Sequence, residues 1–142
     1  MGVPEFVETI EEFLNKVENG EVRGIVSVIV LNEIWYKLII AEVSKIKKIQ
    51  PSQVPNFLKT RRNIIKKLKK VDEGLNKIIK LGVGIEGVEK EDFEKARKLS
   101  KKFDLLTNDS LIVACMKRLK IRDIATNDVD FERVKGIKVW KP

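Results

Sequence analysis

Short β-branched runs alternate along this chain with longer stretches whose apolar residues recur at helical spacing, and that alternation restricts the fold more than any other feature. Val22-Arg23-Gly24-Ile25-Val26-Ser27-Val28 reads as a strand, and Ser27 can cap a helix running through Ile34, Trp35, Leu38, Ile39 and Val43 to about Ile49. Asn108 to Lys120 sets Leu111, Ile112, Cys115, Met116 and Leu119 on one helical stripe. Ile121 to Thr126 follows as a short buried strand, Asp128 to Arg133 as a helical turn, and Ile137 to Trp140 as a last strand. Elsewhere Phe6, Ile10, Phe13, Leu14 and Val17 predict a helix over 5–18 that Gly20 stops. Pro51 and Pro55 break the pattern before a basic amphipathic helix from Phe57 to Val71, and a short helix covers Asp72 to Lys80. Glycines 82, 84 and 87 mark a turn or loose strand, and Glu89 to Phe103 is a helix whose acids lead and whose lysines trail. Strands alternating with helices predict an α/β chain, a three-layer α/β/α domain with a mostly parallel central sheet.

The chain has 142 residues and is 43% hydrophobic, which suits one domain over 1–142 and is too little for two ordinary ones. No apolar run approaches membrane-spanning length, and Met1 to Glu12 carries acids where a secretion signal would be basic and then apolar, so the expected location is cytoplasmic. The only cysteine, Cys115, cannot form an internal disulfide. Histidine is absent, which excludes a Ser-His-Asp triad, a Cys-His pair and a His-ligated zinc. Carboxylates, hydroxyls and lysines remain, and the cheapest chemistry open to an enzyme of this composition is a hard cation held by Asp and Glu, Mg²⁺ or Mn²⁺.

Charge is segregated. Residues 43–71 hold ten of the 29 basic residues, Lys45, Lys47, Lys48, Lys59, Arg61, Arg62, Lys66, Lys67, Lys69 and Lys70, and none of the 21 acidic ones. A block of this kind suits a phosphate backbone, whose condensed counterions it would release, and it equally suits a solvated helix face.

Four local patterns carry possible chemistry, each beside a plainer reading. Gly82-Val83-Gly84-Ile85-Glu86-Gly87 matches a dinucleotide-binding fingerprint, which has meaning only where a strand feeds a helix. Glu33 is a carboxylate flanked by Ile29, Val30, Ile34 and Trp35, yet it could pair with Lys37 one turn on. Asp109 opens a helix, where an acid favours the dipole and Thr107 or Asn108 could cap. Asp128 and Asp130 follow a strand at its carboxyl end, where open α/β sheets bind ligands, although Thr126-Asn127-Asp128 is also turn-forming. Cys115, Trp35, Tyr36 and Trp140 read as core or edge packing.

Three motifs in order, Ser27-Val28-Ile29-Val30-Leu31-Asn32-Glu33-Ile34, Thr107-Asn108-Asp109-Ser110-Leu111-Ile112-Val113-Ala114 and Ala125-Thr126-Asn127-Asp128-Val129-Asp130-Phe131, resemble the PIN-domain family in its VapC-like, toxin-type archaeal and bacterial branch. The likeness runs from about residue 5 to Trp140. It implies that Glu33, Asp109 and Asp128 are metal-site acids, that Asp130 is an accessory acid and that Thr126 is the small hydroxyl residue beside them. It further implies Mg²⁺ or Mn²⁺, hydrolysis of RNA phosphodiesters, an antitoxin partner and a homodimer. The family also opens with a central strand ending in aspartate; here Gly2-Val3-Pro4 leads straight into the helix 5–18, so the expected sheet lacks that strand and that acid.

Three functions stay open at this level: a metal-dependent ribonuclease whose basic residues Arg61, Arg62, Lys66, Lys67, Lys69 and Lys70 track RNA; a non-catalytic RNA-binding or protein-interaction module of the same fold; and a nucleotide-binding domain using Gly82 to Gly87.

Overall fold

The computed structural model describes residues 10–141. They form two compact units, one from the residues up to Ile29 together with those from Gly84 onward, the other from Val30–Val83. The start of the predicted helix 5–18, and the segment in which the sequence predicts no leading strand, lie outside the described residues. No helix among the described residues is long and apolar enough to cross a membrane.

In the first unit α1 (Ile10–Glu18) ends at Gly20, whose φ of +74° lets the Glu21 N–H reach back to the Lys16 carbonyl at 2.9 Å. β1 (Ile25–Ser27) pairs in parallel with β2 (Gly84–Glu86), Val26 opposite Ile85. α5 (Lys90–Phe103) and α6 (Thr107–Arg118) pack together, and β3 (Asp123–Ala125) pairs in parallel with β4 (Lys138–Trp140), Ile124 opposite Val139. The Thr126 N–H donates to the Trp140 carbonyl and the Lys138 N–H to the Arg122 carbonyl, extending this ladder at both ends. Every described strand pair is therefore parallel, as expected, but the strands form two two-stranded sheets among the described residues instead of one.

The buried face of α6 is Ser110, Val113, Ala114, Cys115 and Met116, a stripe rotated from the predicted one, with Leu111, Ile112 and Leu119 only half-buried. Leu105, Val113, Phe131 and Val134 form the core here, packed by Leu99, Phe103, Ile112, Ile124, Ile137 and Val139. That core joins the start of α6 to the 3₁₀ turn Val129–Arg133.

At the other end of α6 lies a fully buried carboxylate, Asp92, which is 0% exposed. It accepts hydrogen bonds from the Glu89 N–H at 2.9 Å, from Arg118 Nε at 3.0 Å and from the Cys115 thiol at 3.4 Å, while Arg118 Nη2 donates to the Gly87 carbonyl. Burial, the largest single influence, pushes the Asp92 carboxyl up, but the Arg118, Glu89 and Cys115 hydrogen bonds and the Arg118 charge together outweigh it and hold Asp92 below the ordinary carboxylate range. Burial and then Asp92 itself push the Cys115 thiol up against smaller opposition from Arg118, so it stays protonated at neutral pH.

Because the folded pKa of Asp92 is depressed, its stabilisation is present above the unfolded value of about 4 and is lost as pH falls through the folded value. Asp92→Asn is expected to destabilise the chain by about 1–3 kcal/mol at pH 7, since an amide cannot accept from all three donors. Urea midpoints should show the variant losing less stability than wild type between pH 5 and pH 3; equal acid slopes would show that Asp92 is not the group responsible.

The second unit holds most of α2 (Val28–Lys47), which begins in the first, then α3 (Val54–Thr60) and α4 (Lys69–Lys80). α2 is rich in β-branched residues and still helical: Val43 is buried with Val54, Ile64, Leu68 and Val71 in a core flanked by the half-buried Leu38, Ile39, Ile40, Phe57, Leu58 and Leu75, while Val28 and Ile46 stay exposed. α2 ends at Lys48 in the left-handed region, with the Ile49 N–H on the Ser44 carbonyl.

The single basic helix predicted over Phe57 to Val71 is not present. α3 stops at Thr60, Arg62–Lys67 is a 3₁₀ segment, and α4 starts at Lys69, because Arg61 and Leu68 leave helical geometry so that Ile64, Leu68 and Val71 can all be buried. Pro55 lies in the first turn of α3, where its missing N–H costs nothing, and so begins a helix instead of breaking one. The start of α4 is held from a distance: both Glu42 carboxylate oxygens accept, from the Lys70 and Val71 N–H groups at 3.3 and 2.9 Å. Trp35 and Tyr36, expected as packing residues, are half-exposed.

Candidate metal centre

Asp109, Asp128 and Asp130, from two places in the first unit, offer carboxylate oxygens that all lie within 4.8 Å of one another. Asp109 is the third residue of α6, close to the positive end of its dipole. Neither Thr107 nor Asn108 caps that helix. The cap position is Leu106, which makes no side-chain cap bond, and Thr107 and Asn108 are already helical. The Ser110 hydroxyl turns back to the Leu106 carbonyl at 2.7 Å.

The other two acids sit at the carboxyl end of β3, in a run of turns that closes on side-chain oxygens. Thr126 Oγ1 accepts from the Asp128 N–H at 3.1 Å, and Asp128 Oδ1 accepts from the Asp130 N–H at 2.9 Å. Each side chain thus fixes the backbone of the acid two residues on, which gives the hydroxyl at position 126 a positioning role. Asp128 is exposed, while Asp109 and Asp130 are half-buried, so the cluster opens to solvent with its base against the Phe131 core.

Oxygens sharing one small divalent ion sit about 3–4 Å apart, so modest side-chain rotation brings these three into range. The donors are all hard carboxylate oxygens with no nitrogen or sulfur among them, which fits Mg²⁺ or Mn²⁺ better than softer metals.

Glu33 lies half-buried on α2, in the unit Val30–Val83. Arg61, Arg62, Lys66, Lys67, Lys69 and Lys70 are exposed in that same unit, across α3's end, the 3₁₀ segment and the start of α4. The glycine pattern fails its structural test: Gly82 follows the end of α4 and leads into β2, so the loop joins a helix to a strand, the reverse of what a dinucleotide site requires. Arg133, beside Asp130, belongs to none of the sequence motifs. Its i,i+3 spacing from Asp130 within a helical turn is the signal that could have found it.

The PIN domain model matches residues 4–137, nearly the whole chain. The chain belongs to the PIN domain family. Ribonuclease VapC6 of Methanocaldococcus jannaschii is 39% identical over 72 residues, 50% of this chain and 47% of that protein, so the match spans about half the relative's length. Ribonuclease VapC2 of the same organism is 28% identical over 130 residues, 91% of this chain and 79% of that protein. No solved structure matches the chain significantly. The α/β class and exclusively parallel pairing of the described strands agree with a PIN domain.

Proposed function

We propose that this PIN domain is a divalent-metal-dependent endoribonuclease, acting as the toxin of a toxin–antitoxin pair or in RNA processing. The observation that carries the reading is the convergence of Asp109, Asp128 and Asp130 within 4.8 Å on an open face. The names of the two relatives, both ribonucleases, support it. Glu33 joins the metal set through its motif alone. By the same family likeness we assign RNA as substrate, and an antitoxin protein and a second copy of the chain as partners; the proposed location is the cytoplasm, in keeping with the sequence's lack of a long apolar run.

A bound Mg²⁺ or Mn²⁺ would activate a water molecule and neutralise charge developing on the phosphoryl oxygens. The chain's own residues supply the rest. Asp109 presents its carboxylate from a rigid helix start, and Thr126 and Asp128 hold the loop so that Asp130 faces the same point. In the hydrolysis the water's oxygen bonds to phosphorus as one P–O ester bond breaks, and the departing ribose oxygen leaves as a hydroxyl carrying one of the water's protons.

Calorimetric titration of Mn²⁺ into wild type and Asp109→Asn, beside an RNA-cleavage assay with and without EDTA, tests the proposal. Saturable binding and EDTA-sensitive cleavage, both lost in the variant, are the expected results. A folded chain that binds RNA but neither binds Mn²⁺ nor cleaves would identify the non-catalytic module instead.

The exposed lysines make a separate prediction. Replacing Lys66, Lys67, Lys69 and Lys70 together by Ala is expected to weaken RNA binding and to reduce the slope of log K against log salt by up to about 3, at roughly 0.7 for each single-strand phosphate that is no longer neutralised. Fluorescence anisotropy across a salt series measures this, and an unaltered slope removes the segment from the RNA path.

A further inference from the structure

Asp130 shares its carboxylate with a side chain that the ribonuclease reading leaves without a task. Arg133 Nη2 lies 3.2 Å from Asp130 Oδ1, and Nη1 of the same guanidinium donates to the Asp104 carbonyl at 3.0 Å. Asp104 is the left-handed residue that closes α5, with φ of +54°, and it leads through Leu105 and Leu106 into α6. Asp109 stands at the third position of that helix. One planar fork therefore ties the lead-in of the element carrying Asp109 to the carboxylate of Asp130, across 29 residues of chain.

Two roles are open to a cation in this place. As a countercharge alone, Arg133 would compete with a metal for Asp130, and its removal would tighten metal binding. As a positioning group, it would hold one carboxylate oxygen while leaving the other free to face the metal, and its removal would loosen binding. The second anchor decides between them. A guanidinium fixed to a backbone carbonyl keeps its place when Asp130 turns towards a cation, whereas a pure countercharge needs no such tether.

We propose that Arg133 is a positioning residue that orients Asp130 for the divalent cation and holds the Asp130 turn to the start of Asp109's helix; this rests on the metal-centre reading above. Its ligand is the cation held by the three aspartates, and it acts through Asp130.

The test is calorimetric titration of Mn²⁺ into wild type, Arg133→Ala and Arg133→Lys, with Asp130→Asn and the double variant Asp130→Asn/Arg133→Ala completing a cycle, and with melting temperatures read in metal-free buffer. Arg133→Ala and Arg133→Lys are each expected to weaken Mn²⁺ binding about tenfold, the scale of an outer-shell partner. Melting should shift by only a few degrees, because the ion pair is half-exposed. In the Asp130→Asn background, Arg133→Ala should have no further effect on affinity. If the alanine variant unfolds, Arg133→Gln, which keeps a donor for the Asp104 carbonyl but not the charge, replaces it with the same expected loss.

Unchanged or tighter binding in Arg133→Ala overturns the proposal, as does full affinity in Arg133→Lys, which would show that charge alone matters. An equal loss with and without Asp130 also overturns it, since the effect would not pass through that carboxylate. Wild type that binds no Mn²⁺ at all would instead remove the metal centre, and the inference with it.

Discussion

Asp109→Asn is expected to weaken Mn²⁺ binding and RNA cleavage by at least about 100-fold while the fold survives. Outer-shell partners of a metal typically account for 10–100-fold in affinity or activity, and a direct carboxylate ligand should exceed that scale. The fold should survive because the local effects oppose each other. The amide gives up the favourable interaction of an acid with the α6 dipole, about 0.3–1 kcal/mol. It also relieves repulsion among three carboxylates whose oxygens lie within 4.8 Å. Circular dichroism and melting in metal-free buffer should therefore resemble wild type, with the loss confined to metal titration and cleavage. Cleavage persisting at near wild-type rates would place the chemistry somewhere other than this cluster.

Phe131→Ala is expected to destabilise the chain by about 3–4 kcal/mol, lowering the melting temperature by roughly 10 °C. Phe131 is 4% exposed and packs with Leu105, Val113 and Val134, so truncation leaves a cavity that neighbours from two helices and two strands cannot easily fill. The site should suffer as well, because Phe131 follows Asp130 directly and anchors its turn beneath α6. Phe131→Leu keeps most of the volume and should cost about 1 kcal/mol, separating packing from any special role of the ring. A melting temperature unmoved by the alanine substitution would mean that this core does not hold the turn.

The three aspartates are legible in the sequence because each stands in a recognisable local setting: one opening an apolar helical stripe, two just past a short strand expected to be buried, although in the structure Asp123 and Ala125 are exposed and Ile124 between them is half-buried. The proximity of Asp109 to Asp128 and Asp130 follows from parallel pairing and from packing in the Leu105–Phe131 core, neither of which any short window contains. Gly20 marks the end of α1, and apolar and charge spacing alone place the end of α5 at Phe103, its observed last residue. The left-handed residues on which α2, α5 and α6 close, Lys48, Asp104 and Lys120, are announced by nothing in their residue types. The basic helix expected over 57–71 fails for a related reason. Its apolar spacing fits one helix, yet burying Ile64, Leu68 and Val71 on one core takes three segments.

By itself the sequence determined the order of strands and helices outside 51–80, the absence of imidazole chemistry, the segregation of basic charge and the carboxylates on which the family likeness rests. These are properties of periodicity and composition, readable within one element at a time. Tertiary structure decided which polar groups meet: Glu42 with the start of α4, Arg118 with Asp92, and Arg133 with Asp104 as well as with its near neighbour Asp130. The first three of these pairings join residues 26 to 29 positions apart, and a side chain's reach across that distance depends on how helices pack, not on the spacing of residues along either one.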